Sequence, residues 1–179
     1  KVPRVGEAIT VLIGRRQLPV NSTISARSLL RAIAPALGAG AGERAALDAE
    51  LRRAFGASAV ALTDSGTSAL TMALRSTTPA GGIVALPAYA CVDVAAAALF
   101  ASLRVMLYDV DPNTLSPDLD SVARVLDRGA STVVVAHLYG YPADVPAVRA
   151  LADARGAAVV EDAAQGAWGS LSGTRLGAI

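Results

Sequence analysis

The sequence of 179 residues holds one cysteine (Cys91), one histidine (His137) and one lysine (Lys1). A lone cysteine excludes an internal disulfide and any cysteine-based metal cluster, and a lone histidine excludes a histidine-rich metal site. No metal is expected. All other basic residues are arginine, so chemistry that needs a lysine amine has only Lys1 to draw on. Charged residues make up 17% of the chain, against a usual share of about 25%. With a net charge of +1 and no basic cluster beyond Arg15-Arg16 and Arg52-Arg53, there is no electrostatic footprint for nucleic acid. The most apolar run, "VAAAALFASLRVMLY" from Val94, is broken by Arg104 and preceded by Asp93. It falls short of the roughly eighteen uncharged apolar residues of a spanning helix, so no membrane partner is expected. The opening "KVPRVGEAITVLIGRRQLPV" has no compact apolar core leading to a small-residue cleavage site, which makes it a poor secretory signal and a cytoplasmic location the expectation.

Apolar residues, by contrast, make up 53%. A chain this poor in charge hides much of its outside against another subunit or a further part of the protein. Its length suits one domain, or a large piece of one. From Glu43 onward, helical and strand-like patterns alternate. "GERAALDAELRRAFG" predicts an amphipathic helix capped by Gly56. Then follow "SAVALT" as a strand, "GTSALTMALRS" as a helix, "GGIVALP" as a strand, "CVDVAAAALFAS" as a helix and "RVMLYDV" as a strand. "SPDLDSVARVLD" predicts a helix with Ser116 at its N-cap and Pro117 at its first position. "STVVVAHL" reads as a strand, "DVPAVRALADARG" as a helix ending at Gly156, and "AAVVED" as a strand. Uninterrupted apolar strands separated by helices imply an α/β fold, a mostly parallel sheet flanked by helices. Residues 1–42 lack this rhythm: a turn-like "LPVNSTIS", a helix-like "ARSLLRAIAPAL" and a flexible "GAGAGE" suggest an N-terminal arm.

In a parallel sheet, ligands gather at the carboxyl ends of the strands, beside helix N-termini. Four turns qualify. In "TDSGTSAL", Gly66 permits close backbone approach and Ser65, Thr67 and Ser68 offer hydroxyls, which suits a phosphate; an ordinary Ser/Thr cap is the plainer reading. In "EDAAQGAWG", a strand-end carboxylate is followed by residues too small to shield it. It suits the cationic group of a flat ligand, or a surface acid beside close packing. His137 after "VVVA" offers a general acid, a ligand contact or a satisfied structural imidazole. Tyr89, in the fourth turn "LPAYACV", and Trp168 either stack on a ring or fill core.

The order and spacing of "DSGTSALTMAL", "ALPAYACVDVAAAALFASLRVMLYDVDPNTLSPD", "VVVAHLYGYPADVPAVRALADARGAAVVEDAAQGAWGS" and "GTRLGAI" resemble the DegT/DnrJ/EryC1/StrS group of sugar aminotransferases, pyridoxal-phosphate enzymes of fold type I. The likeness runs from about Gly42 to Ile179, and "HLYG" with "EDAAQ" is its most specific part. It implies pyridoxal 5'-phosphate as cofactor of the full-length protein, with weak or absent binding in these 179 residues alone, a keto-sugar substrate, nucleotide-linked, an amino-acid donor and a homodimer. Residues 43–179 would be an incomplete cofactor-binding large domain, lacking the Schiff-base lysine segment and the small C-terminal domain, and the 179 residues alone would be inactive. By the family pattern Asp162 pairs with the pyridine nitrogen, and because side chains alternate along a strand Glu161 is expected to point the other way. Ala164 packs on one ring face, Gln165 contacts the phenolic oxygen, and Gly66 with Thr67 holds the phosphate. His137 lies nearby. Cys91 falls where the family usually stacks an aromatic ring, with Tyr89 two residues earlier. Two other readings stay open: a relative that has replaced the lysine, acting as a dehydratase or sensor, and a catalytically dead binding or assembly domain. A generic phosphate-binding domain would leave "HLYG" and "EDAAQ" unexplained.

Overall fold

A computed structural model describes residues 25–34 and 40–179. They fall into two units, divided between Ala46 and Leu47. The described part of the first includes α1 (Ala26–Ala34), which opens where Ser25 Oγ accepts the Ser28 amide at 3.1 Å. The turn expected at "LPVNSTIS" lies almost wholly outside the described residues. Helix α2 (Gly40–Phe55) runs across the division. The arm boundary expected after residue 42 therefore falls inside a helix, and the last four residues of "GAGAGE" are helical rather than loose. Glu43 in the first turn and Arg52 and Arg53 in the last complement the helix dipole, and Gly56 ends the helix at φ +62°. Only the C-terminal part turns apolar groups inward: Leu51, Ala54 and Phe55 are half-buried, whereas Leu47 is exposed.

The second unit continues with α3 (Gly66–Thr77), β1 (Ile83–Pro87), α4 (Val92–Phe100), β2 (Arg104–Tyr108), α5 (Leu119–Asp127), β3 (Ala130–Ala136), α6 (Val145–Asp153) and β4 (Ala158–Asp162). The strands form one parallel sheet in the order β2-β1-β3-β4. Central β1 is buried at all five positions, as an all-apolar strand covered on both faces must be. Ala85, Val133 and Val135 pack with Val122 and Val125 of α5 and Val145 and Val148 of α6 on one face. On the other, Val84, Leu86 and Val134 meet Leu74 of α3 and Val94, Ala97 and Ala98 of α4. Each fully buried valine or leucine contributes about 1.5–3 kcal/mol. A two-residue hairpin, β5 (Ser170–Leu171) and β6 (Thr174–Arg175), follows the sheet, its turn made by Ser172 and Gly173 at φ +51° and +85°.

Two sequence expectations fail here. "SAVALT" is not a strand: a strand exists only as part of a ladder, and this segment has no ladder partner among the described residues. Helix α5 is capped not by Ser116 but by Asp118, whose Oδ1 accepts the Ser121 amide at 2.7 Å. Pro117 stays extended in an antiparallel bridge with Val110, which delays the helix, and Ser116 Oγ instead accepts the Asp144 amide at 3.2 Å. Among the described residues no helix is long and apolar enough to cross a membrane.

Candidate cofactor cavity

From β1 the chain steps outward to β2 and then back across to β3 on the opposite side of β1. The loops leaving the carboxyl ends of β1 and β3 therefore part in opposite directions, and a crevice opens where they separate. A cavity of about 590 Å³ lies there. Gly66 and Thr67 from the first turn of α3, Cys91 just before α4, His137 just after β3, Asp162 at the end of β4, and Ala164 and Gln165 from the following turn all line it. Tyr89 and Trp168 are not among its walls. Trp168 packs on Phe55, ring centroids 5.6 Å apart, with the Arg175 guanidinium 5.0 Å from its ring.

The α3 end offers donors. Ser65, the N-cap, accepts the Ser68 amide on Oγ and the Ala69 amide on its carbonyl. The amides of Gly66 and Thr67 are the ones left open at this helix end, where the dipole favours an anion. A Cβ added at Gly66 would meet nothing within 4 Å, so no protein contact demands glycine there.

The β4 end offers acids with different surroundings. Asp162 Oδ1 accepts the Ala164 amide at 3.0 Å, its other oxygen remaining for a ligand. Glu161 is enclosed, its side chain 8% exposed. Its Oε1 accepts from His137 Nε2 at 2.7 Å and from the Gly177 amide at 2.6 Å, and Oε2 accepts from the Ile179 amide at 3.0 Å. Burial pushes the Glu161 carboxyl up, but the hydrogen bonds from His137, Gly177 and Ile179 together outweigh it and hold the group below the ordinary glutamate range. His137 is buried, and its Nδ1 accepts the Ala143 amide at 3.0 Å. An amide only donates, so Nδ1 carries no proton and Nε2 must hold one to bond Glu161. Both ring nitrogens are engaged within the protein, which leaves His137 as a wall rather than a general acid. Sequence reasoning missed this role of Glu161, for its contacts lie 16 to 24 residues away.

The turn after β3 orients Gln165. Tyr139 sits at φ +55°, uncommon for a side-chain-bearing residue. Its amide donates to Gln165 Oε1 at 2.5 Å. With that oxygen engaged, the glutamine NH₂ group remains for a ligand. The Tyr139 hydroxyl is hydrogen-bonded to that of Tyr89, which raises the Tyr139 phenol above its ordinary range. The Cys91 thiol is exposed, 3.5 Å from Asp93 Oδ2. No cluster of three metal-ligating side chains occurs among the described residues.

The sequence profile of the DegT/DnrJ/EryC1/StrS aminotransferase family matches residues 36–179. The chain belongs to this family. Its curated relatives include the UDP-N-acetyl-3-dehydro-alpha-D-glucosamine 3-aminotransferase of Acidithiobacillus ferrooxidans, 31% identical over 133 residues, or 74% of this chain and 36% of that one. The dTDP-4-dehydro-2,3,6-trideoxy-D-glucose 4-aminotransferase of Saccharopolyspora spinosa is 35% identical over 120 residues, covering 66% of this chain and 31% of that one. This DegT-family chain thus spans about a third of the length of the relatives it matches. Among solved structures, 3-amino-5-hydroxybenzoic acid synthase superposes at a TM-score of 0.69 with 27% identity, covering 77% of this chain and 36% of that one. The fold is that of the fold type I pyridoxal-phosphate-dependent aminotransferases, and the family and its structural neighbours depend on that cofactor.

Proposed function

We propose that the protein is a sugar aminotransferase that binds pyridoxal 5'-phosphate in this cavity and moves an amino group from an amino-acid donor to a keto-sugar, nucleotide-linked. The observation that carries this reading is a convergence. A carboxylate with one oxygen open, two open helix-end amides and a glutamine NH₂ face one cavity whose floor includes Ala136, Ala163 and Ala164. An acid for a cation, amides for an anion and small side chains for a flat ring together match the chemistry of a phosphorylated pyridine.

When bound, pyridoxal phosphate supplies the electron sink that lets an amino group pass between an amino acid and a keto compound. The chain's own residues bind and orient it. Asp162 holds the proton on the pyridine nitrogen by pairing with the cation. Gly66 and Thr67 take the phosphate on their amides, with the Thr67 hydroxyl beside them. Ala164 bounds one face of the ring and Cys91 the other, and the Gln165 NH₂ donates to the phenolic oxygen. His137 closes the inner wall.

Further parts of the reading concern the whole protein. It works in the cytoplasm, and as a homodimer; exposed apolar side chains such as Val92, Leu99 and Phe100 support the association. The 179 residues alone do not transaminate, because their only lysine, Lys1, lies outside residues 36–179 that match the family, and the matched part offers no amine for a Schiff base.

The test is titration of the full-length protein with pyridoxamine 5'-phosphate followed by calorimetry. Saturable binding weakened by Asp162→Asn supports the proposal. Absent binding, or binding indifferent to Asp162→Asn, rejects it.

A further inference from the structure

Glu161 lines the cavity beside Asp162, yet its side chain is only 8% exposed and the proposed function gives it no task. We infer that Glu161 is a positioning residue: by binding His137 and the amides of Gly177 and Ile179 together, it fastens the segment after the hairpin to the cavity wall and thereby fixes the turn that carries Ala164 and Gln165. The part concerning cofactor rests on the proposed function; the fastening itself does not.

Three observations support this. First, the carboxylate accepts from a side chain and two main-chain amides, joining the end of β3, the end of β4 and the segment after β6. Neutral acceptors would serve it poorly, since a glutamine NH₂ in place of Oε2 would face the Ile179 amide donor to donor. Second, Leu176, next to Gly177, is fully buried. A Cβ built on Gly166 would lie 2.8 Å from Leu176 Cδ1 and 3.1 Å from His137 Cβ. The backbone just after Gln165 is thus gripped between the histidine and the leucine that Glu161 holds in place. Third, the grip has no slack: a Cβ on Gly169 would come within 3.0 Å of Leu176 Cδ1. Any release of the 176–179 segment is therefore felt at Ala164 and Gln165.

The test uses the ¹⁵N-labelled full chain. In the unmodified protein at neutral pH, the His137 ring should show the neutral Nε2–H form; an Nδ1–H form would overturn the inference, and this measurement needs no variant to fold. In Glu161→Gln, Ile179 amide exchange should rise on the order of ten-fold or more while that of Ala143 stays near its original rate. Unchanged Ile179 exchange would overturn the inference. Pyridoxamine 5'-phosphate should also bind Glu161→Gln on the order of ten-fold more weakly. Equal binding by both proteins sinks the positioning role while leaving the cofactor reading intact. Binding by neither sinks the cofactor reading, and the exchange rates then decide the fastening alone.

Discussion

The carboxyl ends of β3 and β4 and the outer flank formed by α4 and β2 belong to one sheet but are finished differently. At the first, buried polar atoms are matched donor to acceptor around Glu161 and His137; among the described residues no buried side-chain nitrogen or oxygen lacks a partner. At the second, Val92 is 78% exposed, Leu99 and Phe100 68% each, and Leu107 59%. Hydrogen bonds fix angles as well as distances, so the first region has a defined shape before any ligand arrives. The exposed apolar groups of the flank have no directional partners and gain only by being covered. The two regions thus differ in what fixes them: matched polar atoms at one, uncovered apolar side chains at the other.

Substitutions can break or sharpen that contrast. Leu86→Ala, in the fully packed centre, should cost about 3 kcal/mol in urea unfolding, which sets the scale for a residue that serves the fold alone. Asp162→Asn should leave unfolding within about 0.5 kcal/mol, since its carboxylate accepts only the Ala164 amide, yet weaken pyridoxamine 5'-phosphate binding on the order of a hundred-fold by calorimetry. Glu161 gives a pH signature. Its folded carboxyl titrates below the ordinary value of about 4.3, so its contribution is complete above that pH and fades as the solution is acidified through the lower folded value. Urea midpoints taken over an acid series should fall, and Glu161→Gln should flatten that fall. Leu99→Ala, on the exposed flank, should change the unfolding of the isolated chain by no more than about 0.5 kcal/mol. A larger loss would show that the flank is already packed in solution.

The alternation of helices and parallel strands was legible because each apolar run is bounded by glycine, proline or a capping residue, as at Gly82, Asp144 and Gly156. Segment 58–63 was misread because "SAVALT" has the composition of a strand, while strand formation depends on a neighbour that local sequence does not name. The start of α5 was misread because "SPD" offers two good caps, and the choice is made by the Asp144 amide, 28 residues from Ser116. At the site, the types of residue could be read from the four turns. Alternation along β4 separates Glu161 from Asp162, yet both line the cavity, and the partners of Glu161 could not be read: His137 is brought there by the fold, and the amides of Gly177 and Ile179 leave no mark in sequence.

The strand order carries a consequence for the growing chain. Strand β1 pairs first with β2, which follows it after one helix, while its other edge, where Ile83 meets Ala130, has no partner until β3 has been synthesised. The α3 end and Cys91 therefore leave the ribosome well before His137, Asp162 and Gln165. Through that interval the half-built crevice has one wall and an open strand edge, the condition in which nascent parallel sheets are most prone to mispair. The cavity is among the last features of this unit to come into existence.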